Sequence, residues 1–166
     1  AYARPAGWRN PDPAGPYDLL VVGAGPAGLA AVEAAIEGGA RVALIEHNLL
    51  GGVSLATGSV PSKAIIRTSR LYADMRDAEK FGAAVPGDIR ENFSATMERM
   101  RRLRTRIAEY HSADRLKTAG IALYFGAARF TGPDTVMVGG VSLRFGKALI
   151  ATGARSMPAI IPGLEQ

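Results

Sequence analysis

A glycine-rich segment near the start of the chain constrains its fold more than any other feature. The segment VVGAGPAGLAA places Gly23, Gly25 and Gly28 in the pattern G-x-G-x-x-G. An apolar run precedes it and an alanine-rich run that ends at Gly38 follows it, which predicts a turn from a buried strand into a helix. The first glycine permits the turn, the second lets a phosphate approach the backbone, and the third lets helix and strand pack closely. We therefore expect a dinucleotide to bind with its pyrophosphate on this turn.

The residues after the turn complete a β-α-β unit. The apolar run from Arg41 to Glu46 predicts a second strand, and Glu46 is its last residue. An acidic side chain at that position accepts hydrogen bonds from an adenosine ribose and repels a 2′-phosphate. Strand, helix, second strand and terminal Glu46 in this order favour dinucleotide binding over an unrelated glycine turn.

The rest of the chain divides into a helical stretch and a stretch of strands. The further predicted elements are a helix from near Ser54 or Pro61 to about Lys80, a basic amphipathic helix over Ser94 to Lys117, a strand over Ile121 to Phe125, a hairpin of Thr135 to Val138 and Val141 to Phe145 around Gly139 and Gly140, and a final buried strand over Lys147 to Thr152. Before them, residues 1–16 hold four prolines and two glycines without periodicity, so we interpret them as an extended arm. The predicted domain covers residues 17–166.

A formal net charge of +5 and a pI near 9.9 raise the question of nucleic-acid binding. Much of the excess lies at Glu98 to Arg106. Apolar residues recur there at spacings of three and four: Phe93, Met97, Met100, Leu103, Ile107 and Tyr110. That pattern predicts a buried apolar stripe with a solvated basic face, and we expect no nucleic-acid partner. Apolar runs are too short to cross a bilayer and no signal-like segment is present, so we expect a cytoplasmic protein without a membrane partner.

One loop narrows the prediction to a family. The segment LLGGVSLATGSVPSK, Leu49 to Lys63, resembles the active-site loop of the class I pyridine nucleotide-disulfide oxidoreductases, GG-T-C-x-N-x-G-C-x-P-S-K. The shared positions are Gly51, Gly52, Gly58, Pro61, Ser62 and Lys63. GAARF at 126–130 and ATGA at 151–154 extend the resemblance, which is strongest to the mercuric reductase and dihydrolipoamide dehydrogenase branch. It implies an α/β, Rossmann-like FAD-binding domain with a parallel sheet, helices on both faces and a small antiparallel β-meander.

The resemblance also implies a cofactor site. Lys63 would lie against the flavin, Ala128 would offer backbone groups to the adenine, and Thr152 with Gly153 would meet the flavin side. With the residues of the turn, the predicted cofactor-binding set is Gly23, Gly25, Pro26, Ala27, Gly28, Glu46, His47, Gly51, Gly52, Ser54, Lys63, Ala128, Ala151, Thr152 and Gly153. The complete protein of the family adds an NAD(P)H domain and forms a homodimer. No metal site is expected.

The chain departs from the family at its redox residues. Ser54 and Ser59 occupy both cysteine positions, and the chain contains no cysteine. A hydroxyl forms neither a disulfide nor a reactive thiolate, so the dithiol half-reaction is impossible at this site. Serine catalysis would need a base, and His47 is the only histidine nearby in sequence, so we interpret both serines as small polar residues near the flavin. Because Val53 and Ala56 also differ from the family, natural divergence is favoured over engineering.

Three functions stay open at this point. In the first, the chain is the FAD-binding part of an NAD(P)H oxidoreductase that uses an electron acceptor other than its own disulfide. In the second, it is a non-catalytic module that binds FAD or serves as a scaffold. In the third, it is a plain NAD-binding domain. It begins at Ala1 and ends at Gln166, where the family passes to its NAD(P)H domain. We therefore interpret it as a fragment that binds FAD weakly and is inactive alone.

Overall fold

The computed structural model describes residues 3–85, 87–155, 157 and 161–163 of the chain. The last part of the predicted domain, at residues 158–160 and 164–166, lies outside the described residues, as do residues 1 and 2 of the predicted arm.

The glycine turn joins a strand to a helix as predicted. Strand β1 (Tyr17–Val22) leads into helix α1 (Pro26–Glu37), which ends at Gly38 and returns to strand β2 (Val42–Glu46). The two strands are parallel. Every residue of β2 is buried, because a parallel strand in this position is covered on both faces.

Helices and then strands follow in the predicted order, but with different boundaries, and the separate strands predicted over Val141 to Phe145 and Lys147 to Thr152 form one strand. The further elements are α2 (Gly52–Ala56), α3 (Ser59–Arg76), a 3₁₀ turn at Ala78–Phe81, α4 (Phe93–Tyr110), α5 (Ala113–Thr118), β3 (Ala122–Phe125), β4 (Ala128–Gly132), β5 (Thr135–Val138) and β6 (Val141–Ile150). The single helix predicted over Ser94 to Lys117 is wrong. The chain divides there because the Ser112 side chain accepts a hydrogen bond from the Arg115 N–H and caps α5 as a separate helix.

All six strands form one sheet in the order β3-β2-β1-β6-β5-β4. The long strand β6 belongs to two parts of it: its first residues pair antiparallel with β5, and its residues from Phe145 to Ile150 pair parallel with β1. The prediction of a buried final strand is wrong, since Leu149 is 38% and Ile150 is 66% exposed. Among the described residues, this end of β6 pairs with β1 on one side and with no strand on the other.

Two hydrophobic cores lie on opposite faces of the sheet. The first packs α1 and α5 on β1 to β3, with Val32 and Leu116 against strand residues such as Val21. In the second, residues of β5 and β6 such as Val136 and Leu143 curl over the other face of β1 to β3. The predicted fold class is confirmed. Helices on both faces were expected, but in the described part of the chain the buried residues of the second face all come from strands, because β5 and β6 carry alternating apolar residues.

Helix α4 packs on α3 and touches the sheet little. Of its apolar residues Met100 is buried, whereas Phe93 is 73% and Tyr110 is 63% exposed. The expected buried stripe is therefore only partly buried. Among the described residues, no helix has the length and hydropathy that a bilayer crossing requires.

Candidate functional site

The glycine turn lies against the residues that follow β6. Gly23 has φ +107°, a conformation that favours glycine, and a side chain there would overlap the carbonyl oxygen of Ala151. The Ala151 N–H donates to the Val22 oxygen at 2.8 Å. The structure thus brings together the turn and the Ala151 to Gly153 segment, which are distant in sequence.

The other two glycines of the turn have opposite surroundings. A Cβ on Gly28 would overlap the Gly23 carbonyl oxygen and lie 3.3 Å from a Val21 methyl, so only glycine lets α1 begin this close to β1. Gly25 has φ −76°, which any residue adopts, and a Cβ there would meet nothing within 4 Å. The protein's own packing leaves open space over Gly25.

The first turn of α1 faces this space without a capping side chain. Gly25 is the N-cap, and Pro26 takes the first helical position. Neither supplies an acceptor for the N–H groups of Ala27 and Gly28, which follow. Uncapped N–H groups and the positive end of the helix dipole make such a helix start a site for an anion.

Two glycines of the next loop complete the wall of this space. Gly51 and Gly52 have φ +91° and +59°. A Cβ on Gly52 would lie 3.0 Å from the Gly25 Cα, so α2 begins directly against the glycine turn. The sequence predicted Gly51 and Gly52 as cofactor-binding residues, and the structure places Gly52 beside Gly25 and bonds the Gly51 N–H to the Ala24 carbonyl.

Glu46 is buried at the end of β2 and braces the neighbouring loops. Its Oε2 accepts a hydrogen bond from the Ala24 N–H at 2.8 Å, and its Oε1 accepts one from the Asn48 N–H at 2.6 Å. The Ala24 carbonyl in turn accepts the Gly51 N–H at 2.8 Å. Sequence reasoning missed Ala24 and Asn48, because these bonds use backbone groups, which every residue type provides.

The predicted adenosine residues lie at the carboxyl ends of β2 and β3. The His47 imidazole is 60% exposed, with Nδ1 3.9 Å from Glu46 Oε1. The Gly126 N–H donates to the Glu46 carbonyl at 3.0 Å and so ties the loop after β3 to the end of β2. Ala128 follows that loop as the first residue of β4.

The two serines and Lys63 lie on α2 and α3. Ser54 is partly buried, whereas Ser59 and Lys63 are exposed and stand four positions apart, on one face of α3. Within the described residues Lys63 makes no ion pair, so its ammonium group is open to solvent.

The structure also brings His111 near Ser54, which sequence reasoning missed. Both line a cavity of about 270 Å³ with Glu33, whose carboxylate lies 3.8 Å from His111 Nδ1. No sequence signal could have found this, since His111 follows the last residue of α4, far from Ser54 along the chain. In the part of the chain that the structure describes, no hydrogen bond joins Ser54 to His111, so the pair lacks the geometry of a nucleophile and its base.

Two arginines of α4 bind backbone carbonyls of α2 and α3, the helices that carry the two serines. Arg104 donates to the carbonyl of Ala56, the last residue of α2, at 3.0 Å. Arg99 donates to the Ala64 carbonyl of α3 at 3.1 Å. Part of the basic face of α4 therefore faces protein, where the sequence predicted solvent.

Comparison with known proteins places these features in one family. A sequence profile described as pyridine nucleotide-disulphide oxidoreductase matches residues 17–166. A glutathione reductase of Nostoc sp. is 36% identical over 149 residues, and dihydrolipoyl dehydrogenases of Bacillus subtilis and Acholeplasma laidlawii are 31% identical over 162 residues and 29% identical over 154 residues. The solved Cu(II) complex of a mutant of the HOCl-induced flavoprotein disulfide reductase RclA of Escherichia coli has the same fold, with a TM-score of 0.71 at 22% identity over 91% of this chain.

The matches cover most of this chain but a minor part of each relative. Each of the three sequence relatives aligns with 90% of the chain, whereas the aligned part is 32% of the Nostoc protein, 33% of the Bacillus protein and 44% of the Acholeplasma protein. For RclA the aligned part is 32% of its chain.

Proposed function

Because this chain belongs to the pyridine nucleotide-disulphide oxidoreductase family, we propose that it is the FAD-binding part of a flavin-dependent oxidoreductase. The observation that carries the proposal is the open space over Gly25, at an uncapped helix start. Gly52 forms one wall of this space, and a Cβ on it would lie 3.0 Å from the Gly25 Cα, so α2 begins against the turn with no side chain between them. An elongated dianionic group such as a pyrophosphate fits this chemistry.

The pyrophosphate end of FAD is proposed to lie between Gly25, Gly52 and the first turn of α1. Two observations support that position: the free helix start attracts negative charge, and the space beside Gly25 is not filled by protein. Thr152 and Gly153, beside the turn, are proposed to contact the flavin side.

The adenosine end is proposed to lie over the carboxyl ends of β2 and β3. A carboxylate offers about four lone-pair positions, and Glu46 uses two of them for backbone N–H groups. The remaining capacity is proposed to accept a ribose hydroxyl. The two backbone bonds hold the carboxylate in place before the cofactor arrives, which lowers the entropy lost on binding.

The reaction of the bound cofactor is proposed to bypass a disulfide of this chain. When bound, FAD supplies an acceptor for hydride from NAD(P)H. The chain contains no cysteine, and Ser54 and Ser59 stand where the family has its redox disulfide. We therefore propose that the reduced flavin passes its electrons to a different acceptor. Lys63, exposed near the start of α3, is proposed to stabilise negative charge on the reduced ring.

The same serine pair supports a second candidate, an FAD-binding module without catalysis. An assay of NAD(P)H oxidation with a quinone or dye acceptor separates the two. The assay uses a protein that contains this chain together with an NAD(P)H-binding domain. Turnover by that flavin-loaded protein supports the oxidoreductase, and absence of turnover supports the module. We also propose that the protein with both domains forms a homodimer, as the family resemblance implies. Analytical ultracentrifugation would measure its mass in solution.

The direct test is a titration of the chain with FAD. Gly25→Ala places a methyl group in the open space, and we expect FAD affinity to fall at least about tenfold, while the free energy of unfolding changes by less than about 1 kcal/mol. Gly38→Ala, at the other end of α1, is the matched control, since its Cβ would make ordinary contacts at 3.4 Å or more. An unchanged FAD affinity in Gly25→Ala, or no binding by the wild-type chain, overturns the proposal.

A further inference from the structure

The N-terminal arm binds the sheet through one asparagine side chain. Asn10 Nδ2 donates to the Phe125 carbonyl at 2.9 Å, and Asn10 Oδ1 accepts the Phe125 N–H at 2.7 Å. The amide thus pairs with the last residue of β3 as a neighbouring strand would. A Cβ on Gly139, in the β5–β6 turn, would lie 2.9 Å from Asn10 Nδ2, so the amide fits between β3 and that turn.

Earlier residues of the arm contact the loop after β2. Arg4 donates to the His47 carbonyl at 3.2 Å, and its guanidinium carbon lies 5.2 Å from the centre of the Phe125 ring. The Ala3 carbonyl accepts the Leu50 N–H at 2.9 Å. Residues 3–10 therefore connect the loop after β2 with the end of β3.

Both connected loops are those that carry the proposed adenosine residues. His47 follows Glu46 directly, and the loop from Phe125 leads through Gly126 to Ala128. Loops that lack a regular hydrogen-bond ladder vary in position unless other segments restrain them. Restraint before binding raises affinity, because less conformational entropy is lost when the ligand binds.

We propose that residues 3–10 form the outer support of the adenosine end of the site, with Asn10 and Arg4 as positioning residues that hold the loops after β2 and β3 in their nucleotide-binding arrangement. This inference rests on the proposed function. It assigns the arm to recognition of the ADP half of the cofactor and leaves the flavin half to other residues.

A purely structural role is the alternative. A segment that covers the edge of β3 protects an open strand edge from pairing with other chains. In that case loss of the Asn10 side chain would lower the free energy of unfolding or cause the chains to associate. The folded, monomeric fraction of the variant would still bind nucleotides with wild-type affinity.

The test measures binding of FAD, ADP and FMN by calorimetry, with the 166-residue chain and its variants. ADP contains the adenosine half of FAD and FMN contains the flavin half. For Asn10→Ala we expect affinities for FAD and ADP to fall by the same factor, about tenfold, with FMN binding unchanged. Arg4→Ala is the second variant, because removal of this exposed side chain leaves the fold intact. For it we expect the affinities for FAD and ADP to fall about threefold.

Arg9→Ala is the matched control: Arg9 belongs to the arm, but its exposed side chain makes no hydrogen bond or ion pair with other described residues and so does not hold either loop. We expect wild-type affinities for FAD and ADP in this variant. We also expect ADP to change the emission of Trp8, the only tryptophan of the chain, which reports on the arm itself. Wild-type affinity for ADP in both Asn10→Ala and Arg4→Ala overturns this inference and leaves FAD binding intact. A wild-type chain that binds neither FAD nor ADP overturns the proposed function instead.

Discussion

Gly23, Gly25 and Gly28 share one motif but differ in what requires glycine. Gly23 combines a positive φ with contact to Ala151, and Gly28 lies against the Gly23 carbonyl, so both are required by the protein's own packing. Gly25 has an ordinary φ and open space around it. Folding therefore does not require glycine at position 25, and a substitution there tests the proposed binding site separately from stability.

Glu46 has a structural task that the motif alone does not reveal. In Glu46→Gln the amide offers one oxygen, so its NH₂ group would face the N–H of either Ala24 or Asn48. We expect the free energy of unfolding to fall by about 1–3 kcal/mol, as for a buried donor left unsatisfied. Urea unfolding followed by circular dichroism measures it.

The control for this change is Glu37→Gln, at the exposed end of α1. It makes the same chemical substitution where no backbone N–H depends on the carboxylate, and we expect unfolding at the wild-type urea concentration. Equal midpoints for Glu46→Gln and Glu37→Gln would contradict the bracing role of Glu46.

Helix α4 shows that helical periodicity can be real while the extent of the helix and its buried face are predicted wrongly. Its periodicity indicated a helix, and a helix is present, but the predicted buried stripe includes Phe93 and Tyr110, which are exposed. Periodicity reports which residues share a face, and it does not tell whether that face meets the sheet or another helix. Because α4 packs on α2 and α3, Arg104 reaches a backbone carbonyl of α2 and Arg99 reaches one of α3.

Arg104 fixes the end of α2 and thereby the start of α2 against Gly25. For Arg104→Met we expect a loss of about 1 kcal/mol in stability, since the hydrogen bond to the Ala56 carbonyl disappears. FAD affinity should fall about threefold through the less restrained α2. Urea unfolding and an FAD titration measure the two effects.

Arg101→Met is the comparison for Arg104→Met. Arg101 is exposed on the same helix, and its side chain makes no hydrogen bond or ion pair within the described residues. We expect wild-type stability and affinity for it. The same losses in both variants would mean that the charge of α4 matters, and the Arg104 contact does not.

The sequence predicted the β-α-β unit and the order of helices and strands because those features depend on local spacing. It did not predict that Ser112 starts a separate helix, that β6 pairs on both ends with different strands, or that Ala24 and Asn48 bind Glu46. Each of these depends on contacts between distant residues or on backbone groups that carry no sequence signal. At the site, the motif indicated the glycines, and their different surroundings became visible only in the fold.

The two cores and the arm meet in one molecule through β3. Phe125 belongs to the first core, and its neighbour Tyr124 belongs to the second. The ring of Trp8 in the arm lies edge-on to Phe125 at 5.6 Å between ring centres. An arm anchored on the residue where both cores adjoin should open only when the cores open, as part of one cooperative unit.

This arrangement predicts that Trp8 emission and far-ultraviolet circular dichroism change at the same urea concentration. A second reporter tests the far end of the sheet: in the variant Trp8→Phe, Phe130→Trp the only tryptophan stands on β4, on a side chain that is 43% exposed. Its emission should follow the same transition, because β4 reaches the second core through β5 and β6. If the arm only lies on the surface, the Trp8 emission would change at a lower urea concentration than the circular dichroism or the emission from position 130. The proposed adenosine end of the site would then be supported by a segment that detaches while the sheet remains folded.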